Sequence, residues 1–231
     1  MSPTNAAIRT NAGYRKGEET RQRILDAALN AFGEASFKAV TTRQISEKAG
    51  ISLPALQYHF GDKQGLYRAC AKFIVERYRH HTTGAAQAAK HALDSDCAPE
   101  TARLHLKRVI GALAEFLVGS REAQCWAQFV GRELRDPGPA YEILYEKLWR
   151  PGIETIAWLI ARIEGGSPND PSTRIQALLL ISSLLAFQPG RSISMRAMRW
   201  SAIGPKELRM VLSGLDAQID AIGTRRATPR T

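Results

Sequence analysis

The stretch Thr41–Tyr67, TTRQISEKAGISLPALQYHFGDKQGLY, limits what this chain can fold into more than any other. Thr41 and Gln44 have capping-box spacing, so a short helix is expected from Thr42, with Ile45 and Ala49 on one face. Gly50 supplies the permissive backbone needed to leave that helix. Ile51 can plug the corner and Ser52 can cap a second helix. Leu53 and Pro54 occupy its first turn, where a missing proline N–H does no harm. Leu56 and Phe60 point one way, leaving Ala55, Gln57, Tyr58 and His59 largely on the other faces. Asp62 caps a third helix that opens with Lys63. Two short helices joined by a glycine-containing turn make a helix-turn-helix, the unit that lays its second helix in the major groove of DNA.

The flanking sequence supports that unit. Ile24, Leu25, Ala28, Leu29 and Phe32 form an apolar stripe on a helix over 18–33, which would give the two short helices something to pack on. Residues 1–16 are polar, basic and aperiodic, and read as a disordered arm; so sparse a charge favours a solvated tail over the alternative that Arg9, Arg15 and Lys16 reach phosphate or the minor groove. From Lys63 a longer helix is expected to about His80. The alanine-rich 81–99 reads as a frayed helix and then a linker. Helical patterns follow over 100–118, 121–135, 140–164, 172–187 and 205–222, and 189–203 is harder to assign. Pro151-Gly152 should kink or interrupt the third of these. The segment ALLLISSLLAF is apolar nearly all round, which predicts burial on several sides. The fold class expected is all-α. A basic arm (1–16) precedes a helix-turn-helix domain (17–65), then a helical domain (66–223) and a tail (224–231).

Charge is less specific than the motif. The formal net charge is +10, yet residues 1–65 hold 9 basic against 6 acidic residues, while residues 190–231 hold 8 against 3. The excess is not concentrated in the reading head. Cys70, Cys97 and Cys125 are widely spaced, without a C-x-x-C pattern, so neither a zinc site nor a disulfide framework is suggested. His80, His81 and His91 have no acidic or cysteine partner at ligand spacing. No cofactor is expected, and none of the short nucleotide-binding, hydrolase or metalloprotease motifs is present. With no apolar run long enough for a membrane span and no secretory signal, cytoplasm is the default.

Thr42, Ile45, Ala49-Gly50-Ile51-Ser52, Leu56, Tyr58-His59-Phe60, Lys63, Leu66 and Tyr67 resemble the DNA-binding domain of TetR-type transcriptional regulators. Pro54 and Gln57 depart from that family's usual small residue and tyrosine, which bears on base preference. Phe129-Val130-Gly131-Arg132-Glu133, the Asp136–Ala140 break, Tyr141, the Pro151-containing helix and Ala186-Phe187 with Gly190-Arg191 are similar to the ligand domain of the CecR branch.

The resemblance implies double-stranded DNA as partner, with Thr42, Lys63, Tyr58 and His59 on phosphate and Ser52, Leu53, Pro54 and Ala55 opening the reading helix. Gln57 is the best base reader, because its amide can both donate to and accept from adenine. Arg43 and Gln44 are possible secondary contacts. The resemblance further implies a homodimer through helices near 172–187 and 205–222, although burial of 172–187 as a plain core helix is the other reading of its pattern. An unidentified small-molecule effector would bind the second domain. Phe116, Trp126, Phe129, Trp158 and Phe187 are candidate walls for it, with His105, Arg132, Glu133 and Gln188 orienting it; the other reading is that most of these aromatics fill core and that Arg132 and Glu133 face water. Two other classes stay open: a protein–protein module derived from such a regulator, and a helical enzyme using the second-domain cavity.

Overall fold

The structure is a computed structural model that describes residues 4–188 and 190–224. Among the described residues it is all helical. The helices are α1 (Thr4–Glu34), α2 (Thr42–Ala49), α3 (Leu53–Phe60), α4 (Lys63–Asp94), α5 (Pro99–Ala114), α6 (Arg121–Arg135), α7 (Tyr141–Leu144), α8 (Arg150–Glu164), α9 (Pro171–Leu185), α10 (Arg191–Met198) and α11 (Pro205–Asp220). Single π-helical stretches, Glu115–Gly119 and Tyr145–Trp149, follow α5 and α7. The chain divides into two compact units. One runs to Phe73 and takes in Gln128–Glu142; the other comprises Ile74–Ala127 and Ile143 onward. The first unit thus extends beyond the boundary expected at residue 65, into α4 and the second half of α6.

In the first unit, Ile24, Leu25, Ala28, Leu29 and Phe32 of α1 are buried with Ile45, Leu56, Leu66 and Tyr67. The aromatic core is built on Tyr67, whose ring lies 4.6 Å from Phe32, 4.8 Å from Phe37 and 4.9 Å from Phe129. Its hydroxyl donates to Glu133 Oε1 at 2.5 Å, and Glu133 Oε2 accepts from Gly138 N at 3.2 Å. Burial first, and the carboxylate beside it second, push the Tyr67 phenol far above its ordinary range. Gly65 permits the close entry of α4, since a Cβ there would lie 2.2 Å from the Phe60 carbonyl oxygen.

In the second unit, α5 packs on α8 and α11, and α8 on α9. Leu106, Ile110, Ile156, Leu159, Ile160 and Leu184 are fully or almost fully buried there. Arg103 ties down the end of α11 by donating to Ile219 O at 2.5 Å and Ile222 O at 3.0 Å.

Three expectations are corrected. The arm is helical from Thr4, because its alanine-containing sequence has no proline after Pro3 to stop the α1 ladder. Arg15 and Lys16 stand exposed on it, whereas residues 1–3, the Arg9 side chain and the tail from residue 225 lie outside what is described. Helix α4 runs on to Asp94 rather than fraying near His80; the alanines favour helix, and Ala89 is completely buried in the second-unit core. Asp96, with φ of 51°, takes part in the turn beyond it. Finally, α9 is not buried on several sides. Thr173, Ala177, Leu180 and Leu184 face inward, while Ile175, Leu178, Leu179 and Leu185 are exposed.

The interruption expected at Pro151-Gly152 takes the form of the π stretch one turn upstream. Proline cannot donate to the carbonyl of Lys147, and the preceding turn widens so that Arg150 N reaches Tyr145 O.

Candidate functional site

The helix-turn-helix is assembled by local hydrogen bonds that the sequence encodes. Thr41 Oγ1 accepts from Gln44 N at 3.2 Å while Gln44 Oε1 accepts from Thr41 N at 2.9 Å, closing the capping box at the start of α2. Gly50 takes φ of 62° at its end. Arg23 reaches across from α1 and donates to Ala49 O at 2.5 Å and Gly50 O at 3.2 Å, setting a cation on the negative end of α2. Ser52 Oγ accepts from Ala55 N at 3.3 Å to cap α3, and Asp62 Oδ1 accepts from Gly65 N at 2.6 Å to cap α4.

What this leaves outside is the edge of α3. Leu56 is buried; Ser52, Pro54, Gln57 and Tyr58 are exposed, Tyr58 at 87%. Leu53, Ala55 and His59 are half-buried, with the His59 ring edge-on to Tyr58 at 5.4 Å. Thr42 is half-buried at the N-terminus of α2. The Lys63 ammonium sits 4.6 Å over the Phe37 ring and 3.4 Å from the Lys38 carbonyl, which uses one of its three donors. Arg43 pairs with Glu47 at 3.2 Å on the exposed side of α2, and Gln44 gives its carbonyl oxygen to the capping box. Such an edge offers amide and hydroxyl groups beside helix N-termini, a combination suited to base edges flanked by phosphates.

The candidate effector residues are not brought together in one cavity. Phe129, Arg132 and Glu133 belong to the first unit, where Glu133 is the buried partner of Tyr67 and Arg132 Nη2 donates to Gly33 O at 3.0 Å. Phe116 and Trp126 are buried in the second unit with ring centroids 6.0 Å apart. Phe187 stacks on Trp200 at 6.3 Å, and Gln188 donates to Ala123 O at 3.3 Å. His105, on α5, has its Nδ1 buried without a partner among the described residues; burial and Arg108 hold its pKa below the ordinary histidine value. Trp158 alone of the nine lines the large cleft of the second unit, about 1200 Å³, between α4 and α8.

Sequence reasoning overlooked the α4 side of that cleft. Arg79, Thr83, Ala86 and Lys90 recur at helical spacing, a signal available in the sequence once 81–94 is read as helix.

Known proteins support the same organisation. Residues 24–70 match the family model described as bacterial regulatory proteins, tetR family. Residues 102–224 match that of the C-terminal domain of the HTH-type transcriptional dual regulator CecR. The chain is 29% identical over 213 residues to the HTH-type transcriptional dual regulator CecR of Shigella flexneri, covering 90% of this chain and 92% of that one. It resembles the crystal structure of a transcriptional regulator from Rhodococcus sp. RHA1, with a TM-score of 0.57 and 18% identity, over 87% of this chain and 94% of that one. A TetR-like transcriptional regulator from the same organism gives 0.54 and 19%, over 87% and 93%. At these identities the structural likeness concerns the fold. Together with the capped, exposed helix-turn-helix, the two family matches identify the chain as a DNA-binding transcriptional regulator that belongs to the TetR family of bacterial regulatory proteins, with a C-terminal domain of the CecR type.

Proposed function

We propose that this regulator acts as a homodimer that reads a palindromic operator through two copies of α3 and releases it when a small molecule occupies the second unit. The observation that carries the reading is the exposed apolar face of α9, where Leu179 is 63% exposed and Ile175 55%. A regulator with one small reading head gains too little contact for strong specific binding, and pairing two heads about a twofold axis supplies the rest. Faces of α9 and α11, the latter offering Met210 at 48% exposure, are apolar enough to be the pairing surface. Half-sites would then lie about one helical turn, roughly 34–36 Å, apart or a multiple of it.

In this reading Gln57 contacts a base, and Thr42, Tyr58, His59 and Lys63 contact phosphates. The second-unit cleft is the effector site, and α4 carries residues of both the cleft and the reading unit. Effector binding favours one spacing of the heads; moving such an equilibrium from 1:99 to 99:1 takes about 5.5 kcal/mol of differential affinity. Repression relieved by the effector is the output this arrangement favours.

The test is selection of bound duplexes from a random pool with the full chain, followed by affinity measurements across a salt series. Enrichment of an inverted repeat bound by two chains, with a steep salt slope, is expected. Enrichment of asymmetric sites, or none, would overturn the proposal.

A further inference from the structure

We infer that the groove between α4 and α8 takes an amphipathic organic anion, its acidic head at the Arg79 and Lys147 end and its apolar body along Val109, Leu113 and Trp158. This rests on the effector reading above and adds the chemical class of the effector.

The direction of the groove follows from two cross-links. A Cβ on Gly152 of α8 would lie 3.4 Å from the Tyr78 hydroxyl of α4. Further along both helices, Arg162 pairs with Asp96 Oδ1 at 2.6 Å and donates to Asp96 O at 2.8 Å. The helices therefore run the same way along the groove, with Arg79 and Pro151 at one end and Asp94, Asp96 and Arg162 at the other. Lys147 lies in the π stretch one turn before Pro151, which puts it at the Arg79 end. At 1.5 Å per residue, Arg79 and Lys90 are about 16 Å apart along α4.

The two ends differ in charge. Arg79 and Lys147 line the groove and have no ion pair among the described residues. Glu154 of the lining lies 3.9 Å from Arg150, whose shorter partner is Glu146 at 2.6 Å, so this end keeps an excess of one cation among its lining residues. At the far end Asp96 pairs with Arg162, and the formal charges of Lys90 and Asp94, one turn apart on α4, cancel without an ion pair between them, so the lining there is neutral.

Between the ends the wall is mixed, with Thr83 and Gln87 of α4 beside an apolar strip. Val109 and Leu113 come from α5, and Trp158 of α8 is 54% exposed. The hydroxyls of Thr82 and Thr155 donate to their own helix, to Tyr78 O and Pro151 O, each at 2.9 Å. A cationic amphiphile would meet two unpaired cations at the head position; an anion meets complementary charge. The cleft volume, about 1200 Å³, accommodates a drug-sized or longer molecule.

The experiment uses the full-length protein and two probes of equal chain length and opposite charge, dodecanoate and dodecyltrimethylammonium, each below its micelle concentration, followed by calorimetric titration. Dodecanoate is expected to bind at one per chain and the cation much more weakly. Arg79→Ala with Lys147→Ala should weaken dodecanoate by about tenfold or more. Arg79→Glu with Lys147→Glu should turn the preference toward the cation. Equal binding of the two probes, or dodecanoate affinity unmoved by charge reversal as for uptake on the α9 face, would overturn the inference. The selected operator is titrated in parallel. Charge-dependent dodecanoate binding without any change in operator affinity would uphold the ligand class and sink effector control. Operator release by compounds indifferent to Arg79 and Lys147 would do the reverse.

Discussion

At the residue scale the fold depends on a few close approaches and one buried polar pair. Gly65→Ala would drive a methyl into the Phe60 carbonyl. The expected result is a loss of about 1–3 kcal/mol in chemical denaturation, with operator affinity falling alongside it. Tyr67→Phe leaves Glu133, 1% exposed, without the phenol that satisfies it, and should cost about 1–3 kcal/mol. The raised phenol pKa gives this variant a pH signature. Above about pH 10 an unfolded tyrosine ionises while Tyr67 stays protonated, so the unfolded state binds fewer protons and stability falls as pH rises. Denaturation at several alkaline pH values should show the gap between wild type and Tyr67→Phe narrowing as pH rises above that value; a constant gap would contradict the buried-phenol account. On the DNA side, Gln57→Ala should relax preference at one base pair. Lys63→Ala should weaken all sequences alike and reduce the salt slope by about one. Uniform loss in both would contradict the division of roles.

At the element scale the prediction concerns α9. Leu179→Glu puts a charge on a 63%-exposed apolar position without touching the inward row of Ala177, Leu180 and Leu184. Sedimentation should show monomers with unchanged helicity by circular dichroism, whereas a dimer that survives would contradict the pairing surface. The same helix marks where sequence reading stops. Local signals sufficed for the reading head, since Thr41, Gln44, Gly50, Ser52 and Asp62 act within four residues of themselves. An all-round apolar run such as that of α9 has no intrinsic inside, so only packing decides which of its faces is covered. The alanine-rich end of α4 carries little periodicity, and its helicity is confirmed by burial of Ala89 against distant residues. For the cleft, the aromatic candidates other than Trp158 pointed the wrong way. Phe116 and Trp126 fill core, and Glu133 meets a tyrosine 66 positions away. The lining comes instead from polar stripes of α4 and α8, whose meeting is a tertiary fact.

On the scale of the whole molecule, a capped reading head, a covered core and an apolar face left open on α9 are consistent with paired TetR-family chains on one duplex. The salt dependence should come mainly from phosphate contacts, since Arg43 is engaged with Glu47 and the net charge of the head is modest. The most direct measurement is the stoichiometry and symmetry of the complex on a duplex selected by the full chain, from sedimentation and footprinting together. Two chains protecting an inverted repeat, with Leu179→Glu reducing occupancy of both halves, is the predicted result. One chain protecting a single asymmetric site, with Leu179→Glu binding as tightly as wild type, would contradict the account.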